Sequence, residues 1–182
     1  MGSKKKFFCF GYGYTAHHIG EVLKNLTKET TQEWSLGGTT RTKEKRAALR
    51  AMDVEAYTFD SDKPLGDPYS MMAGTTHLLI STPPDHEGDI VFEHHAEDIL
   101  HMMPDLEWVG YFSTTGVYGD RDGAWVDETT SIRPSTIRGT RRARAESQWL
   151  SLFESDRLPV HIFRLAGIYG PGRCALDSMR SG

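Results

Sequence analysis

The chain has 182 residues, of which 38% are apolar and 25% charged, and its formal net charge is −4. This is enough for one domain with a real core, and the balance is that of a globular protein. The slight acidity gives no general case for nucleic-acid binding. Cys9 and Cys174 are too few for a disulfide scaffold, and no apolar run is long enough to span a membrane. Ser3-Lys4-Lys5-Lys6 is basic, but the four apolar residues after it lead straight into glycines, which is not a signal-peptide pattern. The expectation is a cytoplasmic protein with reduced thiols and neither a nucleic-acid nor a membrane partner.

Strand-like and helix-like segments alternate along the chain. Lys5–Phe10 reads as a buried strand. Thr15–Leu26 reads as a helix, with Ala16, Ile19, Val22, Leu23 and Leu26 at helical spacing on one face. Glu33–Thr40 is a second strand and Lys43–Met52 a helix rich in good formers. Val54–Phe59 is a third strand, stopped by Asp60-Ser61-Asp62-Lys63-Pro64. A weak helix over Tyr69–Ala73 precedes a fourth strand, Thr76–Ser81, which ends in Thr82-Pro83-Pro84. Ile90–Met103 is a helix, Trp108–Ser113 a fifth strand, Pro134–Phe153 a long helix and Val160–Leu165 a sixth strand. The alternation predicts right-handed crossovers and a doubly wound parallel sheet of α/β class, one domain over residues 1–182. In such sheets ligands lie beyond the carboxyl ends of the strands.

The turn after the first strand carries the sharpest chemical signal. In Phe10-Gly11-Tyr12-Gly13-Tyr14-Thr15-Ala16 the first glycine permits a tight turn, and the second leaves room for phosphates. Ala16 allows close packing of helix on strand, and the free N–H groups of the helix start face an anion. The pattern predicts a dinucleotide pyrophosphate site on a Rossmann-type NAD(P)-binding fold, with Tyr14 beside the cofactor. An NAD site usually has an acidic residue at the end of the second strand. Here Thr39-Thr40-Arg41 stands there, and the Arg41 guanidinium suits a 2′-phosphate, with Lys43 and Lys45 adding positive field. NADP is therefore preferred, with NAD the alternative. Asp60, at the end of the third strand, is placed to accept from the adenine amino group.

Three later segments match a known pattern. They are Ser113-Thr114-Thr115-Gly116-Val117-Tyr118-Gly119, then Asp127-Glu128 with Pro134, then Arg164-Leu165-Ala166-Gly167-Ile168-Tyr169-Gly170-Pro171-Gly172. With the glycine turn they resemble the extended short-chain dehydrogenase/reductase superfamily, the NAD-dependent epimerases and dehydratases of sugar nucleotides. The glycine turn ending in Ala16 and the Ser81-Thr82-Pro83-Pro84 turn look most like an atypical branch of it. The resemblance implies that Ser81, Thr82 and Pro83 lie against the cofactor. It also implies that Thr114 hydrogen-bonds the substrate hydroxyl or carbonyl. The family's proton donor is a Tyr followed four residues later by a Lys. Here those positions hold Arg138 and Arg142. A guanidinium does not release its proton at physiological pH, so these arginines would contact substrate or cofactor instead. The resemblance thus implies an NAD(P)-binding oxidoreductase acting on a sugar-like or carbonyl small molecule, with a non-catalytic NADP(H) sensor as the alternative.

Other residues point to packing rather than chemistry. Tyr118, Trp108 and Cys9 read as packing residues. His94, Asp98 and His101 share a helix face, but the zinc pattern of two His at i and i+4 with a Glu is absent, so no metal is expected. Members of the superfamily continue well past the Gly170-Pro171-Gly172 turn into a small substrate lobe. The resemblance therefore implies a chain truncated at its carboxyl end, with an exposed sheet edge and a homodimer as one consequence.

Overall fold

The computed structural model describes residues 4–174. Six strands are β1 Lys4–Phe10, β2 Glu33–Thr40, β3 Val54–Thr58, β4 His77–Ile80, β5 Trp108–Thr114 and β6 Val160–Leu165. Five helices are α1 Tyr14–Glu29, α2 Lys43–Arg50, α3 Pro68–Met72, α4 Ile90–Met102 and α5 Ile137–Asp156, with a 3-10 turn over Thr115–Tyr118. All strand pairs are parallel and the order is β3-β2-β1-β4-β5-β6. The order reverses at β1, which opens a crevice between the carboxyl ends of β1 and β4.

The period of two along β1 feeds two cores. Phe7 and Cys9 face Ala16, Leu36 and Leu49, under α1 and α2. Phe8 and Phe10 face Met72, Ile99 and Trp149, under α3, α4 and α5. Burial pushes the Cys9 thiol pKa up, as expected of a packing residue rather than a nucleophile.

Aromatic rings fold over the sheet glycines. A Cβ on Gly37 would lie 2.8 Å from the Phe8 ring, and one on Gly38 would lie 2.8 Å from the Tyr12 ring and 2.6 Å from the Cys9 carbonyl oxygen. The ring of Trp108 occupies the same space over Gly110.

Two expectations need correction. The buried stripe of α1 runs through Ala16 and Gly20, and Val22 and Leu26 are exposed. Gly20, not singled out by the apolar pattern, is where the helix crosses Tyr12 and Leu36. The long helix begins at Ile137 rather than Pro134, because the Thr136 hydroxyl caps it by accepting from Gly139 N–H at 3.0 Å. Before it, Arg133 N–H is bound to Val117 carbonyl at 2.9 Å, outside any helix. Phe163 of the edge strand β6 is exposed, and so, by 84%, is Tyr169 in the loop after it.

Gly38→Ala is expected to lower unfolding free energy by about 1–3 kcal/mol, the usual cost of overpacking. Urea unfolding measures it, and an unchanged midpoint would mean that the strands separate easily to admit a methyl group.

Candidate nucleotide-binding cleft

A cavity of about 510 Å³ lies beyond the carboxyl ends of β1 to β4. Its floor is the turn from β1 to α1. Gly11 has φ +81°, and its Cβ position lies 3.1 Å from the backbone nitrogen of Thr82, so both conformation and space demand glycine there. Gly11 N–H donates to the Thr39 hydroxyl at 3.0 Å and Tyr12 N–H to the Thr39 carbonyl at 2.8 Å. Ser81 N–H donates to the Phe10 carbonyl at 2.9 Å. The ends of β2 and β4 thus fix the bend from both sides.

Gly13 differs from Gly11. Its φ of −105° and ψ of −157° suit any residue, and a Cβ would meet only the Gly11 carbonyl, at an ordinary 3.6 Å. The fold does not require glycine at 13; only something occupying the cleft would. Gly13 is also the N-cap of α1 and supplies no side-chain hydrogen bond, and the first turn holds no acidic residue. The other four helices are capped by Thr42, Asp67, Asp89 and Thr136. The first N–H groups of α1 are therefore left for an anion.

At one end of the cleft stand Thr40, Arg41, Lys45, Phe59, Asp60 and Ser61. Arg41 and Lys45 are exposed and make no ion pair among the described residues. Asp60 Oδ1 accepts from Ser61 N–H at 3.0 Å, and its Oδ2 makes no hydrogen bond among the described residues. The wall after β4 is Ser81, Thr82, Pro83, Pro84 and Asp85. Tyr14 lines the cleft and donates from its hydroxyl to the Pro171 carbonyl at 3.1 Å. The Arg173 guanidinium sits 5.4 Å from the centre of the Tyr14 ring. The 170–173 turn therefore reaches back to the glycine bend.

The expected residues divide. Gly11, Gly13, Tyr14, Thr40, Arg41, Asp60, Ser81, Thr82 and Pro83 all line the cavity. Ala16 is buried below it, packed among Phe7, Cys9 and Leu36. Thr114, Arg138 and Arg142 do not line it. The Thr114 oxygen accepts from Gly116 N–H at 3.1 Å, capping the 3-10 turn and leaving its own proton free to donate. Arg138 is exposed. Arg142 uses Nη1 to donate to the Tyr111 hydroxyl at 3.0 Å and the Phe112 carbonyl at 2.6 Å.

The cation that α5 brings to the cleft is Arg141. Burial works against the charge of Asp85, but the N–H groups of Glu87 and Gly88, with His86 and Arg141, hold its carboxyl below the usual range. Sequence reasoning placed Arg141 only within a crowd of arginines. The available signal was its position seven residues before Gln148, on the helix flank that meets α4 through Glu93 at 2.8 Å.

Beside the cleft lies a buried polar network. Glu146 is 1% exposed. It accepts from Ser113 Oγ at 2.5 Å and from Arg164 at 2.9–3.2 Å, and Arg164 Nη1 donates to the Tyr118 hydroxyl at 2.9 Å. Tyr118 is thus a packing residue with a satisfied hydroxyl. The histidines of α4 separate: His95 turns into the core toward Asp98, and exposed His101 pairs with Glu97 at 3.1 Å.

No family model matches the sequence. Protein YeeZ of Escherichia coli strain K12 is 28% identical across 93% of this chain and 61% of its own length. A solved structure of a protein of unknown function from Silicibacter pomeroyi DSS superposes with TM-score 0.82 at 41% identity, over 98% of this chain and 58% of that one. UDP-glucuronic acid 4-epimerase from Bacillus cereus, solved with NAD, superposes with TM-score 0.72 at 17% identity, over 91% of this chain and 57% of that one. The chain thus spans about three fifths of the length of these relatives. Its fold is the Rossmann-type α/β fold of NAD-dependent epimerases and dehydratases, as the extended short-chain dehydrogenase/reductase resemblance implied. Among the described residues no helix is long and apolar enough to cross a membrane.

The N-cap of α4, Asp89, is fully buried and accepts from Val91 and Phe92 N–H at 3.0 Å each. Burial pushes its carboxyl up to about 6, against the pull of those N–H groups and Arg142. Unfolded, the group titrates near 3.9. Its contribution to stability is therefore complete below about pH 4 and is lost as pH rises through about 6. Asp89→Asn keeps the cap and removes the titration. In urea unfolding the variant should match wild type at pH 4 and exceed it by up to about 3 kcal/mol at pH 7.5. A constant difference between the two proteins across that range would contradict the account.

Proposed function

We propose that the chain binds a nicotinamide dinucleotide, NADP in preference to NAD, as the cofactor part of an epimerase/dehydratase-like oxidoreductase. The observation that carries this is Gly13: the fold tolerates a side chain there, and a pyrophosphate at the open N-terminus of α1 does not. Arg41 and Lys45 meet the 2′-phosphate, and Asp60 Oδ2 accepts from the adenine amino group. Ser81, Thr82 and Pro83 line the path to the nicotinamide. The NAD held by the Bacillus cereus epimerase of the same fold supports the cofactor class.

The substrate is a sugar-like or carbonyl compound. Thr114 donates to its oxygen, and Arg138 receives an anionic group at the rim. Arg142, outside the cleft and anchored through Nη1 to Tyr111 and the Phe112 carbonyl, holds α5 against β5, and Arg141 is the α5 cation that meets cofactor or substrate oxygens. Without a Tyr and Lys at these positions, general acid catalysis worth roughly two to four powers of ten needs another donor. That absence favours a second reading, an NADP(H) sensor that binds without turnover.

Binding of NADPH and NADH followed by nucleotide fluorescence tests the site. Gly13→Val should still fold, with at most a few degrees lost in melting temperature to the poorer N-cap, and lose at least about tenfold affinity for both dinucleotides, roughly 1.4 kcal/mol. Full affinity in that variant sinks the proposal.

Arg41→Asp should weaken NADPH by about tenfold or more, the scale of a lost charge-assisted bond, with NADH little changed. Equal losses would show that Arg41 does not read the phosphate. Oxidation of NADPH with a panel of aldehydes, ketones and nucleotide sugars then separates the readings: turnover supports the enzyme, and tight binding without turnover supports the sensor.

A further inference from the structure

We infer that His95 and His94 of α4 are positioning residues that hold the loop from Phe59 to Leu65 in the shape of an adenosine-binding wall. The inference rests on the dinucleotide reading and extends it to residues outside the cleft.

His95 is 2% exposed. Its Nε2 accepts from the backbone N–H of Leu65 at 3.1 Å. The proton of the neutral ring must then sit on Nδ1, which donates to Asp98 Oδ2 at 2.8 Å. The ring is stacked on Phe10 at 5.7 Å and tilted against Phe59 at 5.6 Å. Beside it on the helix, exposed His94 donates from Nε2 to the Ser61 carbonyl at 2.8 Å and meets Phe59 edge-on at 6.3 Å. Phe59, Asp60 and Ser61 are cleft residues. Neither histidine is.

The loop needs such support. Ser61 to Pro64 are exposed, and the loop's internal bonds are the Asp60–Lys63 backbone pair at 3.0–3.1 Å and the Asp60 turn bond to Ser61. Those bonds shape the loop without attaching it to the body. Attachment comes from Phe59 N–H on Thr40 carbonyl at 3.0 Å, from the buried Leu65 side chain, and from the two histidines. An imidazole suits the task at position 95 because it is flat enough to stack between phenyl rings and still presents an acceptor to a buried N–H. An aliphatic residue there would leave the Leu65 N–H without a partner in the core.

The test uses the whole chain and titrates 2′,5′-ADP and nicotinamide mononucleotide by calorimetry, with hydrogen exchange at the Leu65 amide as a second readout. His95→Leu removes the acceptor and should weaken 2′,5′-ADP by about tenfold and speed exchange, with nicotinamide mononucleotide unchanged. His95→Gln puts a carbonyl oxygen near the position of Nε2 and should restore 2′,5′-ADP affinity to within about threefold of wild type. His94→Ala, at an exposed site that leaves folding intact, should lose about threefold to tenfold for the same ligand, and it carries the test should His95→Leu fail to fold. Unchanged 2′,5′-ADP affinity in His94→Ala and His95→Leu overturns the inference. So does a His95→Gln protein as weak as His95→Leu, which would mean that ring packing alone matters. Failure of the wild-type chain to bind any of 2′,5′-ADP, NADPH and NADH would instead overturn the dinucleotide reading itself.

Discussion

At Gly11 the backbone bends with φ +81° while pressed against Thr82, and the whole cleft depends on that contact. The bend comes at the strand where the sheet reverses its order, between β2 on one side and β4 on the other. Thr39 holds it from β2, and the Ser81 amide holds it from β4. Helix α1 must therefore start in the crevice, and it starts without a side-chain cap. A fixed set of N–H donors aimed into a crevice costs nothing to organise when an anion arrives. The same bend explains the glycines and small residues behind it: Ala16, Gly20 and Gly38 let the helix and the neighbouring strand close around Tyr12.

The other half of the carboxyl-end surface is organised by buried charge. Glu146 and Arg164 form a bidentate pair, and Ser113 and Tyr118 add further hydrogen bonds to it. Burying such a pair is costly unless its remaining hydrogen-bonding groups are satisfied. Here one knot joins β5, the 3-10 turn, α5 and β6. Arg142 extends it through Tyr111 and the Phe112 carbonyl. Polar groups that could have served proton transfer are committed to holding strands and helix together. What reaches the cleft from α5 is a cation, Arg141, facing Asp85.

These two halves differ in what they ask of a ligand. The glycine side offers backbone donors, two exposed cations and the Asp60 carboxylate, all suited to a nucleotide. The α5 side offers guanidinium groups and a threonine hydroxyl, suited to binding an oxygen-rich or anionic group. The turn at 170–173, docked on Tyr14, bridges the two.

The order of strands and helices, the parallel sheet and the glycine turn were all legible in the sequence, because each rests on local pattern: apolar runs of strand length, helical spacing, and glycines between them. The residues that line the cleft could be picked out one by one, since strand ends and the turns after them go where a doubly wound sheet puts them. The tertiary structure decided the rest. Val22 fits the apolar spacing of α1 yet faces water, because Tyr12 draws the helix down at Gly20. Arg142 matches a family position yet is bound to Tyr111, while Arg141 one residue away reaches the cleft, since a single residue turns a helix by about 100°. His94 and His95 look alike in sequence, and only the packing of Phe10 and Phe59 buries one and leaves the other on the surface. Side-chain direction across elements depends on how distant segments pack, and no local pattern carries that information.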